Sequence, residues 1–184
     1  MARPTALVTG SASGMGLATA LELARAGYQV AAAVRTLGRA DSLLKMADAA
    51  GVADRVEPVA MDLLEGSEAL KEAAEAVIQG LGHLDVLVNN AGTAELGAVE
   101  EVPPRLWRRV MATNFFAPLA LIQAALPGMR ERQQGVIINV TSFRQRAAER
   151  RRLCAVLRVP VRAGGDVGSP PLGGAAVWHH GGCD

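Results

Sequence analysis

The chain has 184 residues, half of them apolar, with 19 basic and 18 acidic side chains and a formal net charge of +1. That length suits one domain with a sizeable core, and near-neutrality supplies no field to draw nucleic acid or an anionic membrane, so a small-molecule partner is expected. Cys154 and Cys183 show no disulfide framework or metal-ligand spacing, no apolar leader opens the sequence, and no uninterrupted apolar run reaches membrane-spanning length, so the expected setting is a reducing cytoplasm.

In chain order, a short strand is predicted over 5–9, followed at once by Thr9-Gly10-Ser11-Ala12-Ser13-Gly14-Met15-Gly16 and a helix over 14–26 that stops at Gly27. The glycines have separate uses. Gly10 permits a tight turn, Gly14 lets backbone approach a pyrophosphate, and Gly16 lets the helix pack closely, while the helix N-terminus presents free N–H donors to an anion. A mere tight turn is the competing reading.

The second strand is predicted over 29–34. An Asp or Glu about 20 residues beyond a glycine loop bonds the ribose 2'-hydroxyl of NAD; here the segment reads Ala31-Ala-Ala-Val-Arg35. A guanidinium pairs bidentately with a 2'-phosphate, so NADP(H) is the expected ligand ahead of NAD(H). Arg35 also reads as a solvated strand-end charge.

Helices over 39–50 and 67–80 alternate with strands over 56–61 and 84–89, and a long helical stretch over 104–132, breakable at Pro118, precedes a fifth strand over 135–141. Right-handed crossovers give an α/β, doubly wound parallel sheet of order 3-2-1-4-5.

After Ser142 the character changes. Residues 143–184 hold a run of arginines without a lysine, then Gly-Gly, Pro-Pro and His-His pairs with weak periodicity. Two domains of unequal character are expected: 1–142, a dinucleotide-binding unit, and 143–184, a loosely ordered Arg/Gly/Pro-rich tail. The arginines lack aromatic partners for nucleic acid, and His179, His180 and Cys183 match no structural zinc spacing.

The pattern T-G-x-x-x-G-x-G, followed in order by Asp62 in Val59-Ala-Met-Asp-Leu63, Asn89-Asn90-Ala91-Gly92, Asn114 in Met111-Ala-Thr-Asn-Phe, and Ser142 in Val136-Ile-Ile-Asn-Val-Thr-Ser, resembles the short-chain dehydrogenases/reductases. The resemblance implies the Rossmann-type fold, incomplete here on its C-terminal side. It implies cofactor contacts from Gly10, Ser11, Ser13, Gly14, Met15, Gly16, Arg35, Asp62, Leu63, Asn89, Asn90, Ala91 and Gly92. It further implies that Ser142 bonds the substrate oxygen and that Asn114 helps hold a proton-relay water. Local roles compete at three places: a helix cap for Asp62, a locally bonded helix residue for Asn114, a turn cap for Ser142.

The family also uses a tyrosine about a dozen residues after the serine, with lysine four later, to move the substrate proton. The single tyrosine of this chain is Tyr28, and its lysines are Lys45 and Lys71. The tail composition is what GC-rich coding gives out of frame: shifted by one base, Val177-Trp178-His179-His180 is compatible with Phe-Gly-Ile, and Leu153-Cys154 with tyrosine, although lysine cannot follow at the required place.

The expectation is an NADP(H)-dependent oxidoreductase interconverting an alcohol and a carbonyl. The alternative is a non-catalytic dinucleotide-binding module, or an inactive truncated or frameshifted product. A homo-oligomer is allowed, and the fifth strand is expected to be an exposed sheet edge that favours association.

Overall fold

The structure is a computed structural model, and it describes residues 3–95, 97–98, 100–142, 152–159 and 177–178. Five parallel strands, β1 Thr5–Thr9, β2 Gln29–Val34, β3 Val56–Ala60, β4 Val86–Asn89 and β5 Gly135–Ser142, lie in the order β3-β2-β1-β4-β5. Helices α1 Gly14–Arg25, α2 Asp41–Ala49, α3 Ser67–Leu81, α4 Pro104–Met111 and α5 Ala117–Glu131 connect them. This is the doubly wound Rossmann-type α/β fold expected from the alternation of short and long apolar periods.

Because successive side chains alternate across a strand, the sheet feeds two cores. Leu7, Ala31, Leu87 and Ile137 face a core completed by Leu70 of α3 and by Ala120, Leu121 and Met129 of α5. Ala6, Val8, Val30, Ala32 and Val88 face the other, closed by Leu17, Ala20 and Leu21 of α1 and Leu43 of α2. Both faces of β1 and all but the first residue of β2 are therefore buried, and both strands read as continuous apolar runs. Pro58 in β3 is tolerated because β3 is the outer strand of the sheet.

β4 starts two residues later than its apolar run. Leu84 and Asp85 are engaged otherwise: the Arg132 guanidinium donates to the Leu84 carbonyl at 2.7 Å, and the Asp85 carboxylate accepts the Thr5 backbone N–H at 3.0 Å. These bonds fasten the amino ends of β1 and β4 to the end of α5, at the edge of the sheet opposite the glycine loop.

The long helix over 104–131 is broken, but not at Pro118 itself. Residues Ala112–Phe116 form a π-helical turn between α4 and α5. Pro118 has no N–H for the carbonyl of Asn114 and its ring crowds that carbonyl, so the chain widens in the preceding turn.

The expected open edge at β5 is not what forms. A strand β6, Arg152–Val159, pairs antiparallel with the whole of β5, and a short β7, Val177–Trp178, pairs antiparallel with β6. The nine residues between Ser142 and Arg152 are fewer than a parallel crossover needs, which dictates an antiparallel return. The remainder of the tail, with its His179, His180 and Cys183, lies outside the described residues.

Candidate cofactor site

A cavity of about 280 Å³ opens at the carboxyl ends of β1 to β4, where strand order reverses and ligands of such sheets bind. Thr9, Gly10, Ala12 and Ser13 of the glycine loop line it. Gly10 and Gly14 have φ of +71° and +58°, a left-handed backbone that side chains rarely adopt. Gly16 is fixed by close approach instead: a Cβ there would run into the Gly10 carbonyl oxygen and the Asn90 side-chain nitrogen. α1 begins after Ser13 with no side-chain cap and no acidic residue in its first turn. The positive end of the helix dipole lies at this start, where it favours an anion.

The far side of the loop is tied down by Thr9, which the motif contains but sequence reasoning did not single out. The Thr9 hydroxyl donates to the Val88 carbonyl at 3.3 Å and accepts the backbone N–H groups of Asn90 and Ala91, each at 3.0 Å. Asn90 returns a bond from its side-chain amide to the Thr9 carbonyl at 2.9 Å. This knot brings Asn90, Ala91 and Gly92 into the cavity wall beside Gly10 and Ser13.

The second wall comes from the ends of β2 and β3: Arg35, and Asp62 with Leu63. One Asp62 carboxylate oxygen accepts the Leu64 N–H at 3.1 Å, a turn rather than a helix cap. Arg39, Thr93, Arg109 and Thr113 also line the cavity and carried no signal in the sequence, since their arrival depends on where the loop after β2 and helix α4 fold back.

Five of the expected contact residues, Ser11, Gly14, Met15, Gly16 and Asn89, are not in the cavity wall. Ser11 is fully buried and its hydroxyl donates to the Val8 carbonyl at 2.8 Å. Asn89 is buried, donating to the Asn139 side chain across the β4–β5 pair at 2.8 Å, with its own side-chain oxygen unpartnered among the described residues. Met15, by contrast, is exposed on the first turn of α1.

Asn114 lies in the π-helical turn and is bonded to Thr93. Ser142 ends β5 at the same carboxyl edge of the sheet, and its side chain lies outside the described residues. Neither a tyrosine nor a lysine lines the cavity among the described residues. Tyr28 precedes β2 at the opposite edge of the sheet, Lys45 lies on α2 and Lys71 on α3.

These features define an α/β domain with a cavity suited to a nucleotide: a helix start without a side-chain cap, a glycine loop in a left-handed backbone, and cationic groups where the second strand ends. The residues present fit a nicotinamide dinucleotide. The chain belongs to the short chain dehydrogenase family, matching it over residues 4–151, and that family comprises NAD(P)-dependent oxidoreductases of small-molecule alcohols and ketones. It is 37% identical over 138 residues to a D-beta-hydroxybutyrate dehydrogenase of Cupriavidus necator, covering 75% of this chain and 52% of that one. Among solved structures it resembles a short-chain dehydrogenase from Streptomyces avermitilis, with 35% identity, a TM-score of 0.70, and coverage of 77% of this chain and 50% of that one. It also resembles a metagenomic short-chain oxidoreductase in complex with NADP, with 33% identity, a TM-score of 0.66, and coverage of 72% and 58%. The chain spans about half the length of the curated relatives it matches.

Proposed function

We propose that this chain is an NADP(H)-binding module of the alcohol–carbonyl oxidoreductase type, with residues 1–142 as the cofactor domain and residues 143–184 as an atypical tail. The observation that carries the reading is the cavity itself: Gly10 and Ser13 in its wall and Arg35 at the end of β2, with no carboxylate at the strand end to hold an unphosphorylated ribose. The pyrophosphate lies over the α1 N-terminus in this reading, and the adenosine between Arg35 and the Asp62–Leu63 turn. The bound nicotinamide supplies or takes the hydride. NAD(H) is the weaker ligand.

Ser142 and Asn114 are the two members of the family's reacting constellation that the chain carries. The general acid is the missing part, because no tyrosine lies on the cavity side of the sheet among the described residues. Loss of such a group costs about 10²- to 10⁴-fold in rate. That absence favours a binding module, or an inactive frameshifted product, over an active reductase. Titrating the chain with NADPH by fluorescence, then supplying ketones, separates the two: binding without consumption supports the module, and turnover shows that another group donates the proton.

The partner in this reading is a small molecule in the cytoplasm, with neither nucleic acid nor membrane involved. The helix Pro104–Glu131 is long and apolar enough by composition to cross a bilayer, yet its Ala117, Ala120, Leu121, Ala124, Ala125 and Met129 belong to the sheet-facing core. Its outer side exposes Trp107, Met111, Phe115 and Leu119 at four-residue spacing. An antiparallel second copy of the same stripe would cover it, with Phe115 near the two-fold axis, and the chain is accordingly read as a homo-oligomer.

A further inference from the structure

Helix α4 and the turn after β3 meet on one face of the sheet. Ala33 of β2, Met61 after β3 and the partly buried Leu63 belong to the core that α3 and α5 close. α4 runs into α5 through the π-helical turn and so extends that same helical layer. Arg109 and Thr113, one turn apart, both line the cavity, as do Leu63 and the exposed Leu64.

Arg109 is exposed, and among the described residues its guanidinium has no hydrogen bond or ion pair. Asp62, the one carboxylate of the cavity wall, is turned partly to the Leu64 N–H instead. No aromatic side chain lines the cavity among the described residues. A heteroaromatic base beside Leu63 and Leu64 therefore has apolar side chains for one face and no ring for the other. A guanidinium is planar and weakly hydrated, and it stacks on such a face. A lysine ammonium, compact and strongly hydrated, brings the charge without the plane.

We infer that Arg109 is a base-stacking residue: its guanidinium covers the adenine that Leu63 and Leu64 support, so that α4 and the turn after β3 clasp the ring and the cavity selects its ligand by the base. The inference rests on the NADP(H) reading above, which places the adenosine at the Asp62–Leu63 turn.

The test separates plane from charge. The full chain is titrated with NADPH, and with the fluorescent etheno-adenine analogue of NADP in the presence of acrylamide, for the unaltered protein and for Arg109→Ala, Arg109→Lys and Arg109→Tyr, each checked for an unchanged melt. Arg109→Ala weakens NADPH by about threefold to thirtyfold, the loss of one stacked cation, and opens the bound etheno-adenine to quenching. Arg109→Tyr recovers most of the affinity and the shielding, and Arg109→Lys little of either. If Arg109→Lys binds like the unaltered protein and Arg109→Tyr like Arg109→Ala, Arg109 acts as a point charge and the inference is overturned while the NADP(H) reading stands. Unchanged affinity and quenching in Arg109→Ala overturn it in the same way. An unaltered protein that does not bind NADPH removes the NADP(H) reading and the inference with it.

Discussion

The side chain of Asn114 holds both backbone polar groups of Thr93, accepting the N–H at 2.9 Å and donating to the carbonyl at 2.7 Å. A residue in a π-helical turn thereby supports the loop that leaves β4, one residue beyond Gly92 in the cavity wall. The widened turn and the loop are one device. Pro118 opens the helix, and the opened helix presents the amide.

Asn114→Leu removes both bonds and leaves the Thr93 groups to water. A loss of about 1–2 kcal/mol in stability is expected, since exposed bonds each contribute little. Limited proteolysis should show faster cleavage near residues 93–98, and an unchanged cleavage pattern would count against the supporting role.

Gly16→Ala puts a methyl against the Gly10 carbonyl and the Asn90 amide. The amide cannot withdraw without breaking its bond to the Thr9 carbonyl. Overpacking of this kind costs about 1–3 kcal/mol, read by urea denaturation, and NADPH affinity should fall with it. Gly27→Ala, whose Cβ would meet nothing within 4 Å but whose φ is +95°, should cost stability without touching the ligand.

Thr9→Val retains shape and removes the hydroxyl. The N–H groups of Asn90 and Ala91 then lose their shared acceptor in a site where Thr9 is buried. A cost of about 2 kcal/mol or more is expected from the stranded donors, while Thr9→Ser should restore most of it. Equal melting of the Val and Ser variants would show that the hydroxyl contributes nothing.

Phe115→Glu places a charge in the middle of the exposed stripe, where Phe115 is 55% exposed. The unaltered chain should elute as a dimer or larger species in size exclusion with light scattering, and this variant as a smaller one. Stability of the monomer should move by less than about 0.5 kcal/mol, the usual range for a surface substitution. A concentration-independent monomer for the unaltered chain would remove the oligomer reading.

Legibility in the sequence followed the range of the interactions. β1 and β2 appear where their apolar runs place them, and α1 and α3 end within a residue of their expected bounds, because periodicity and a following glycine are local signals. The start of β4 was misplaced because Leu84 and Asp85 are claimed by Arg132 and Thr5, residues 48 and 80 positions away. The break in the long helix was legible as a proline, but its place one turn earlier was not. The fifth strand's antiparallel partner escaped notice because the tail's composition masked the short apolar run Leu153–Leu157 within Arg152–Val159.

At the cavity the same division holds. The glycine loop, Asp62 and the Asn89–Gly92 turn were readable because each is a short, spaced motif with its own backbone requirement. Sequence alone therefore determined the family, the parallel α/β architecture and the presence of a glycine loop at the end of β1. Tertiary structure decided which of the motif residues line the cavity and which do not, that Thr9 binds the two strand ends together, and that Arg39 and Arg109 reach the cavity. The physical reason is that a motif encodes local backbone geometry, whereas the chemistry of a wall depends on strands far apart in sequence ending side by side.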